Sequence, residues 1–548
     1  MMLPDSRVPY RPEDKHPTWS MELVSRYLHR RIRLEGRALS PLILAGFAIA
    51  IRIHLQPVIT DDAYITFRYA DNIATGVGFV YNEGERVLGT TTPLFTLLLA
   101  VLRIGAGIPP DKSSVWVAAI SDAVTALLLY RLAAALSRDT RPGLLAGLLF
   151  SVSPFAIRFS VNGMETSLGA ALILATLVLH VNRRLLGAAL LCALAIMTRP
   201  EAVLLAALIA FDLARTGSFR RAGSFIGCVL ALLAPWVCFA ALYFGNPIPH
   251  SLIAKSALLY QWAPIQTLAM FLSNFAFIIL GYPLGRLAGV PWPGGIPDLG
   301  PPAGWLLAGV LALVQGFLVL RGVQWTSTYQ NRVWIVAGFP FLYLVSYLGS
   351  SVRHVLIFDW YLAPLQPFYL LFLALGLFSS SRGARSRPLL FLSALLVLSQ
   401  LSGLGWTPSD FGRPLDASAG REAEYQEVAT RYSSSFGRET LVAAAEIGAL
   451  GYFSEARILD TVGLISPIAL RYYPLPPDMY ISSYAIPPEL IRNAQPDFLV
   501  TMEVFVSRGL LREQWFLNEY EEIYRKPTKA FRGTHLLVFR RLSPRLQN

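Results

Sequence analysis

The sequence has little charge and little cysteine for its length. Only 15% of its 548 residues are Asp, Glu, Lys or Arg, while 54% are hydrophobic. Soluble proteins carry about 25% charged residues, so this composition excludes an ordinary water-soluble protein. The three cysteines, Cys192, Cys228 and Cys238, lie within apolar runs. That placement gives no support to a disulfide framework or a cysteine-based metal centre.

The sequence also lacks the common nucleotide-binding and hydrolase motifs. It contains no P-loop, no GxGxxG after a predicted strand, no zinc-ligand spacing and no GxSxG motif. The energy for a transfer reaction therefore has to come from the substrate rather than from ATP. The net charge of +12 does not indicate nucleic acid as a partner, because much of the arginine lies in the N-terminal tail and in short loops.

Apolar runs of nearly bilayer-spanning length, about 20 residues, recur along the chain and predict a polytopic α-helical membrane protein. The first residues are rich in Arg and lack a cleavage site, so we interpret them as a cytoplasmic tail. If the run 267–282 does not cross, the basic loops stay inside with about eleven transmembrane helices, and the C-terminus lies outside. The run 93–106 is short and is interpreted as a helix at the outer interface. The predicted spans are residues 41–57, 113–136, 143–159, 167–182, 185–197, 202–214, 222–244, 303–320, 333–349, 361–378 and 388–405.

The last part of the chain has a different character. Residues 406–548 are more charged, are interrupted by proline and contain no spanning run. Residues 441–445, 498–502 and 535–540 are typical of strands, and residues 510–524 predict an amphipathic helix. We therefore expect a transmembrane domain over 1–405, with a first outer loop at 59–112, and an extracytoplasmic α/β domain over 406–548.

Two adjacent carboxylates, Asp61 and Asp62, open a polar and aromatic helical pattern just after the first span. Asp before such a helix is a good N-cap, but one cap needs only one side chain. The alternative is that one carboxylate acts as general base on an acceptor hydroxyl, while the other positions the acceptor or binds a cation.

Further polar residues fall at turns on the predicted outer side. Arg199 and Glu201 form either a surface ion pair or part of a site, and Lys255 either snorkels or binds a phosphate. Asp122 lies inside an apolar run, where a charge is costly, so we expect it to pair with a cation or to face a cavity. The other candidates at outer turns are Asn162, Glu165, His250, Arg353, His354 and Asp359.

Several stretches in combination resemble one enzyme family. They are DDAYITFRYADNIATGVGFVYN from Asp61, GERVLGTTTP, NGMET, TRPE, FGNPIPHSLIAK and EIGALGYFSEARILDTVGLISP. They are similar to the motifs of GT-C fold membrane glycosyltransferases, and more narrowly to the mycobacterial terminal β-arabinofuranosyltransferase and its bacterial relatives. These relatives often have Arg before the Tyr of FDWYLAPLQP, where this chain has Trp360 before Tyr361. We expect Arg353 or Lys255 to supply the missing phosphate contact.

The resemblance implies an inverting transfer from a polyprenyl-phosphate sugar donor. Asp61 would deprotonate the acceptor hydroxyl, with Asp62 as the second catalytic carboxylate holding sugar or acceptor hydroxyls. The residues implied for the donor phosphate are Lys255, Arg199, His250, Arg68 and Arg353. Those implied for the sugar or acceptor are Glu165, Glu201, Tyr64, Asn162 and Tyr361.

The resemblance also implies the setting. We expect a multi-pass protein of the bacterial cytoplasmic membrane with its N-terminus inside, taking its donor sideways from the bilayer. The acceptor would be a cell-envelope polysaccharide or other glycoconjugate, and the sugar suggested is arabinofuranose. Clustered carboxylates can hold Mg²⁺ or Ca²⁺, but Lys and Arg can neutralise the leaving group, so no metal site is predicted.

Two other classes of protein are alternatives to an enzyme. A transporter or lipid flippase would also have many spans, but its polar groups would be expected near the bilayer midplane. A non-enzymatic scaffold for envelope assembly would have no use for the paired carboxylates. The crowding of polar motifs at one face favours an enzyme.

Overall fold

Helices form most of the chain up to Ser379 in the computed structural model. The structure describes residues 40–55, 57–256, 263–272, 274–275, 302–327, 333–352, 357–379, 391, 420–481, 484–528, 530–532 and 534–542. The chain divides into two compact units, residues 1–43 and residues 44–548. Only the first turn of one helix is described in the smaller unit. The larger unit contains all the features that follow.

The helices of the membrane region follow the apolar runs closely. They are α1 Ser40–His54, α2 Asp61–Ala74, α3 Pro93–Ala106, α4 Pro110–Ser137, α5 Arg141–Val152, α6 Pro154–Ser160, α7 Thr166–Val181, α8 Leu185–Thr198, α9 Val203–Arg215, α10 Phe219–Phe244, α11 His250–Ser256, α12 Pro302–Ser327, α13 Val333–Val352, α14 Asp359–Leu362 and α15 Gln366–Ser379.

Four helices in the described part of the chain are long and apolar enough to cross a membrane, and a bent pair raises this number to five. The pair is α5 and α6, which meet at an angle of 59° where Pro154 interrupts the run predicted at 143–159. Helix α3 has the bounds predicted for the interfacial helix. The count of about eleven spans stays a prediction, and the run 388–405 lies outside the described residues.

The tail contains five strands: β1 Leu441–Ala444, β2 Arg457–Asp460, β3 Phe498–Met502, β4 Tyr520–Pro527 and β5 His535–Arg541. They form one sheet in the order β2-β1-β3-β5-β4. Strand β1 runs parallel to β2 and β3, and β5 is antiparallel to β3 and β4. The tail helices are α16 Arg421–Arg431, α17 Gly448–Tyr452, α18 Pro488–Ala494 and α19 Gln514–Glu519.

This sheet confirms the α/β character of the tail and the predicted strands, but it corrects one element. The amphipathic helix predicted at 510–524 is wrong, because only Gln514–Glu519 is α-helical and Tyr520 begins β4. Residues Tyr520–Pro527 pair with β5 instead. The bonds of that ladder override a local helical pattern of apolar residues.

A buried ion pair joins the first helix to the bundle. The Nε of Arg52 lies 2.8 Å from Oδ2 of Asp122, and both side chains are almost fully buried. The guanidinium also donates to the carbonyl oxygens of Phe150 and Ser151. This arrangement confirms the expectation that Asp122 pairs with a cation.

We predict that Asp122→Ala strongly destabilises the protein, because it leaves Arg52 as a buried charge without its carboxylate. Removing one partner of a buried pair costs about 3–5 kcal/mol. The control is Glu83→Ala, which removes the Arg438 pair, in which both side chains are 66% exposed. Melting temperatures in detergent should fall for Asp122→Ala and stay near wild type for Glu83→Ala. Equal melting temperatures would contradict the assignment.

Candidate active site

A cavity of about 480 Å³ lies where the first loop, the membrane helices and the tail meet. Its walls come from the first turn of α2, the Thr90–Thr92 turn, the segment 198–204, and helices α11 and α13, with Leu464 contributed by the tail. Cavities of this size are typical of small-molecule sites. It is therefore the candidate active site.

The two neighbouring carboxylates of α2 face different surroundings. Asp62 lines the cavity, and its Oδ2 lies 3.9 Å from the Nζ of Lys255. Its side chain is 35% exposed, so its carboxylate is accessible from the cavity. Asp62 therefore has the position that a general base needs.

Asp61 is turned away from the cavity and towards the tail. Its two carboxylate oxygens accept hydrogen bonds from the backbone N–H groups of Gly448, at 2.9 Å, and Ala449, at 2.8 Å. These are the first N–H groups of α17, so Asp61 caps a helix that is distant in sequence. This geometry does not agree with the expectation that Asp61 deprotonates the acceptor, because its oxygens are buried and engaged.

A compact group of charges surrounds this cap. Arg421 lies 2.9 Å from Glu422 and 2.9 Å from Glu446, and Glu422 accepts a hydrogen bond from the backbone N–H of Asp61. Burial raises the pKa of Asp61 to about 6, against the opposing effects of Arg421 and of the two N–H donors. Burial likewise raises the pKa of Glu446 to about 8, although Arg421 lowers it.

A second charged group lies in the cavity wall. Arg199 pairs with Glu165 at 3.0 Å and with Glu201 at 3.4 Å. Glu201 also accepts a hydrogen bond from the hydroxyl of Tyr347. Two carboxylates outweigh one guanidinium, so this group suits hydroxyl recognition better than phosphate binding. The geometry therefore does not favour Arg199 as a phosphate ligand.

Lys255 is held by a tyrosine that also lines the cavity. Its Nζ donates to the hydroxyl of Tyr361 at 3.0 Å, and the ring of Tyr361 stacks on Tyr347 with centroids 5.6 Å apart. Trp360 also lines the cavity. Lys255 and Tyr361 are thus brought together with Asp62, as sequence reasoning predicted for one site.

Arg68, expected to contact the donor phosphate, has a structural role instead. Its guanidinium donates to the carbonyl oxygens of Tyr81, Gly451 and Ala456 at 2.7–2.9 Å. The side chain is buried, does not line the cavity and joins the first loop to the tail. These contacts do not favour a phosphate role for Arg68.

Three other predicted residues lie outside the cavity wall. The ring of Tyr64 packs against Tyr452 and Phe453 of the tail, with centroids 5.5 and 5.3 Å apart. The Oδ1 of Asn162 accepts the backbone N–H of Met164 and shapes a turn. His250 begins α11, and burial lowers its pKa, which disfavours the cationic form that phosphate binding needs. The sugar roles of Tyr64 and Asn162 and the phosphate role of His250 are thus not supported by position.

Arg353 and His354 lie outside the described residues. Asp359, from the same predicted cluster, pairs with Arg158 at 3.1 Å. Among the residues that the structure describes, no group of three or more His, Cys, Asp or Glu side chains is arranged to hold a metal ion.

Sequence reasoning missed part of the cavity wall. Thr90, Thr91 and Thr92 precede Pro93 at the start of α3, and a Thr run before proline is a recognisable helix start. Tyr347 gave no signal, because it lies within an apolar run that fits a plain spanning helix. Leu464 reaches the cavity only through the packing of the tail.

Comparisons with known proteins match two parts of the chain to family models. Residues 90–240 match the dolichyl-phosphate-mannose-protein mannosyltransferase family, and residues 416–539 match a domain of unknown function. The search of curated proteins found no match.

Solved structures of two other proteins resemble this chain. Crystal structures of ArnT from Cupriavidus metallidurans match at 12% identity with a TM-score of 0.56, both bound to undecaprenyl phosphate and in the apo state. The match to the bound form covers 93% of this chain and 98% of the ArnT chain. The mycobacterial arabinofuranosyltransferase AftD matches at 13% identity and a TM-score of 0.46, over 92% of this chain and 40% of AftD. The chain therefore has the fold of ArnT, the GT-C fold of membrane proteins, and residues 90–240 match a mannosyltransferase family model.

The raised pKa of Glu446 predicts how stability depends on pH. The folded protein keeps this proton up to about pH 8, while the unfolded chain loses it above the ordinary value of 4.5. The stability that Glu446 contributes is therefore complete at low pH and is lost as the pH rises towards 8.

We expect Glu446→Gln to remove this dependence. The melting temperature of the wild type should fall more between about pH 5 and about pH 8 than that of the variant. Glu439→Gln, at an exposed position of the tail, should follow the wild-type curve. Parallel curves for the wild type and Glu446→Gln would show that Glu446 ionises normally in the folded protein.

Proposed function

We propose that this protein is an inverting membrane glycosyltransferase that moves a sugar from a polyprenyl-phosphate donor to an acceptor hydroxyl on the outer face of the membrane. The observation that carries the proposal is the placement of Asp62 and Lys255, 3.9 Å apart, in one cavity of the GT-C fold. An acid beside a cation is the minimum that this chemistry needs, because one proton must be removed and one phosphate charge must be neutralised.

The reaction runs as a single displacement. The acceptor oxygen passes its proton to the Asp62 carboxylate and forms a bond to the anomeric carbon of the sugar. The bond from that carbon to the phosphate oxygen breaks on the opposite side, and its electron pair leaves with the lipid phosphate. The anomeric centre is inverted, and Asp62 returns its proton to water.

Lys255 is the residue that stabilises the leaving group. Its ammonium is fixed by the hydroxyl of Tyr361, so it is already oriented before the phosphate charge develops. The hydroxyl-bearing turn Thr90–Thr92 lies in the same wall and offers further donors to phosphate oxygens. Arg199 takes no part in this step, because Glu165 and Glu201 balance its charge.

The sugar is held by the group around Arg199. Glu165 and Glu201 present carboxylate oxygens to sugar hydroxyls, and Arg199 holds both side chains in place. Tyr347 and Trp360 offer aromatic surface to the ring of the sugar. These are contacts of the kind that fix orientation in a small-molecule site.

The donor lipid enters from the side. Val203 and Leu252 line the cavity and are also 54% and 41% exposed. Apolar side chains that are shared by a cavity and an outer surface give the isoprenoid a route from the bilayer. The ArnT structure with undecaprenyl phosphate supports a polyprenyl phosphate as the donor lipid.

For the sugar and the acceptor we propose only a chemical class. The resemblance of the first-loop motifs favours arabinofuranose and a cell-envelope glycan or glycoconjugate acceptor, in a bacterial cytoplasmic membrane. A panel of decaprenyl- and undecaprenyl-phosphate sugars, supplied to purified protein in detergent, tests the donor. Turnover without a membrane gradient also excludes the transporter alternative.

Asp62→Asn keeps the shape of the side chain and removes the base. We expect kcat to fall by about 10²–10⁴-fold, measured by transfer from the active donor. Asp71→Asn is the matched control, because Asp71 lies on the same helix and pairs with Arg103 away from the cavity. Near-normal turnover of Asp62→Asn would refute the role of Asp62.

Lys255→Ala removes the cation that faces the leaving phosphate. We expect kcat/KM for the donor to fall by about 10²–10³-fold, with the KM for the acceptor little changed and with partial recovery in Lys255→Arg. Lys112→Ala, at an exposed position of α4, is the charge-matched control. If only the KM for the acceptor rose, Lys255 would bind the acceptor and not the donor phosphate.

A further inference from the structure

Hydrogen bonds from the tail hold the first turn of α2, in addition to the bond from the backbone N–H of Thr60 to the carbonyl of Asn162. The carboxylate of Asp61 receives two N–H groups of α17, and the backbone N–H of the same residue donates to Glu422 at 3.2 Å. Both the side chain and the main chain of Asp61 are therefore held by tail residues. The next residue along the chain is Asp62.

Arg421 fixes the glutamate side chains beside Asp61. It holds Glu422 through Nε and Glu446 through Nη1, each at 2.9 Å, and its charge lies beside the Asp61 carboxylate. The side chain is largely buried, so its contacts are not screened by water. Arg421 thereby keeps the Glu422 carboxylate in the orientation that accepts the hydrogen bond from the backbone N–H of Asp61.

The fit between α2 and α17 leaves no room for adjustment. A Cβ added at Gly448 would overlap the backbone oxygen of Asp61 and approach its carboxyl carbon to 2.8 Å. Close by, the hydroxyl of Tyr81 donates to the carbonyl of Ile447 at 2.6 Å, and Arg68 donates to that of Gly451. The α17 segment is thus locked onto the first loop along its length.

We propose that the tail positions the catalytic base: Asp61, Gly448 and Arg421 form a clamp that sets the orientation of the Asp62 carboxylate in the cavity. The inference rests on the proposed function, because it takes Asp62 as the base. Asp61 is then a positioning residue and not the base, and the tail acts in catalysis without touching the reacting atoms.

The physical basis is the rigidity of a helical turn. Asp61 and Asp62 are adjacent in α2, so a rotation or shift of the first turn moves the Asp62 carboxylate relative to Lys255 and the acceptor. A misplacement of about 1 Å in a reacting group can reduce the rate by about 10²-fold. Binding of the donor depends on the other walls of the cavity and is not affected by this shift.

The sharpest test compares Gly448→Ala with Gly437→Ala. The first adds a methyl group against Asp61, whereas a Cβ at Gly437 meets no atom within 4 Å. Both glycines are in the tail, so general effects of the substitution are matched. We expect Gly448→Ala to lower kcat by about 10²-fold with donor KM unchanged, and Gly437→Ala to behave as wild type.

Arg421→Lys provides a milder variant in case Gly448→Ala does not fold. Lys keeps the charge but cannot hold Glu422 and Glu446 together as a guanidinium does, so kcat should fall while donor KM stays constant. Arg431→Lys is the control on the same helix, because its pair with Glu427 is exposed. Wild-type kcat in folded Arg421→Lys would overturn the clamp.

Asp61→Asn separates positioning from base catalysis. An amide cannot accept both N–H groups of α17, so kcat should fall, but the acidic limb of the pH–rate profile should remain, because the base is still Asp62. Loss of that limb in Asp61→Asn would make Asp61 the base and overturn the inference.

The two hypotheses fail in different ways. Full activity of Asp62→Asn would refute the proposed function and, with it, the purpose of the clamp. An inactive Asp62→Asn beside fully active, folded Gly448→Ala and Arg421→Lys would refute the clamp alone. In an Asp62→Asn background, Arg421→Lys should cause no further loss, because a positioning effect disappears with the group that it positions.

Discussion

The contact between the Asp61 carboxylate and the first N–H groups of α17 is the interaction on which the site depends. It joins residues that are 387 and 388 positions apart in the sequence. A charge-assisted hydrogen bond to a helix N-terminus is strong when water is excluded. Through this contact the tail becomes a wall of the active site rather than an appended module, and the neighbouring Asp62 is left facing the cavity.

The two cationic side chains of the cavity, Lys255 and Arg199, have different roles in the proposed reaction. Lys255 lies beside Asp62 and Tyr361, where a developing phosphate charge can be neutralised. Arg199 lies between Glu165 and Glu201, where its charge is already balanced. Two cations that look equivalent in sequence therefore offer different chemistry, because the carboxylates around them differ. The same reasoning removes Arg68 from the site, since its donors are occupied by carbonyl groups.

Buried charge elsewhere in the molecule is structural. Arg52 and Asp122 neutralise each other within the helical bundle, and Arg52 additionally bonds backbone carbonyls. A membrane-embedded charge without such a partner would be costly. Arg52 and Asp122 are thus kept as a pair in an apolar part of the molecule, whereas Asp62, whose side chain is 35% exposed, lies at the cavity.

The sequence by itself determined the membrane class and most helix positions, and it singled out Asp61, Asp62 and Lys255 as site candidates, because apolar periodicity and paired carboxylates are local signals. It also predicted the strands 441–445 and 498–502 of the tail. It misplaced the segment 510–524, since strand pairing with a distant partner overrides local pattern. Which of the two aspartates faces the cavity was decided only by tertiary structure, because that depends on the donors that the tail brings to Asp61 from far along the chain.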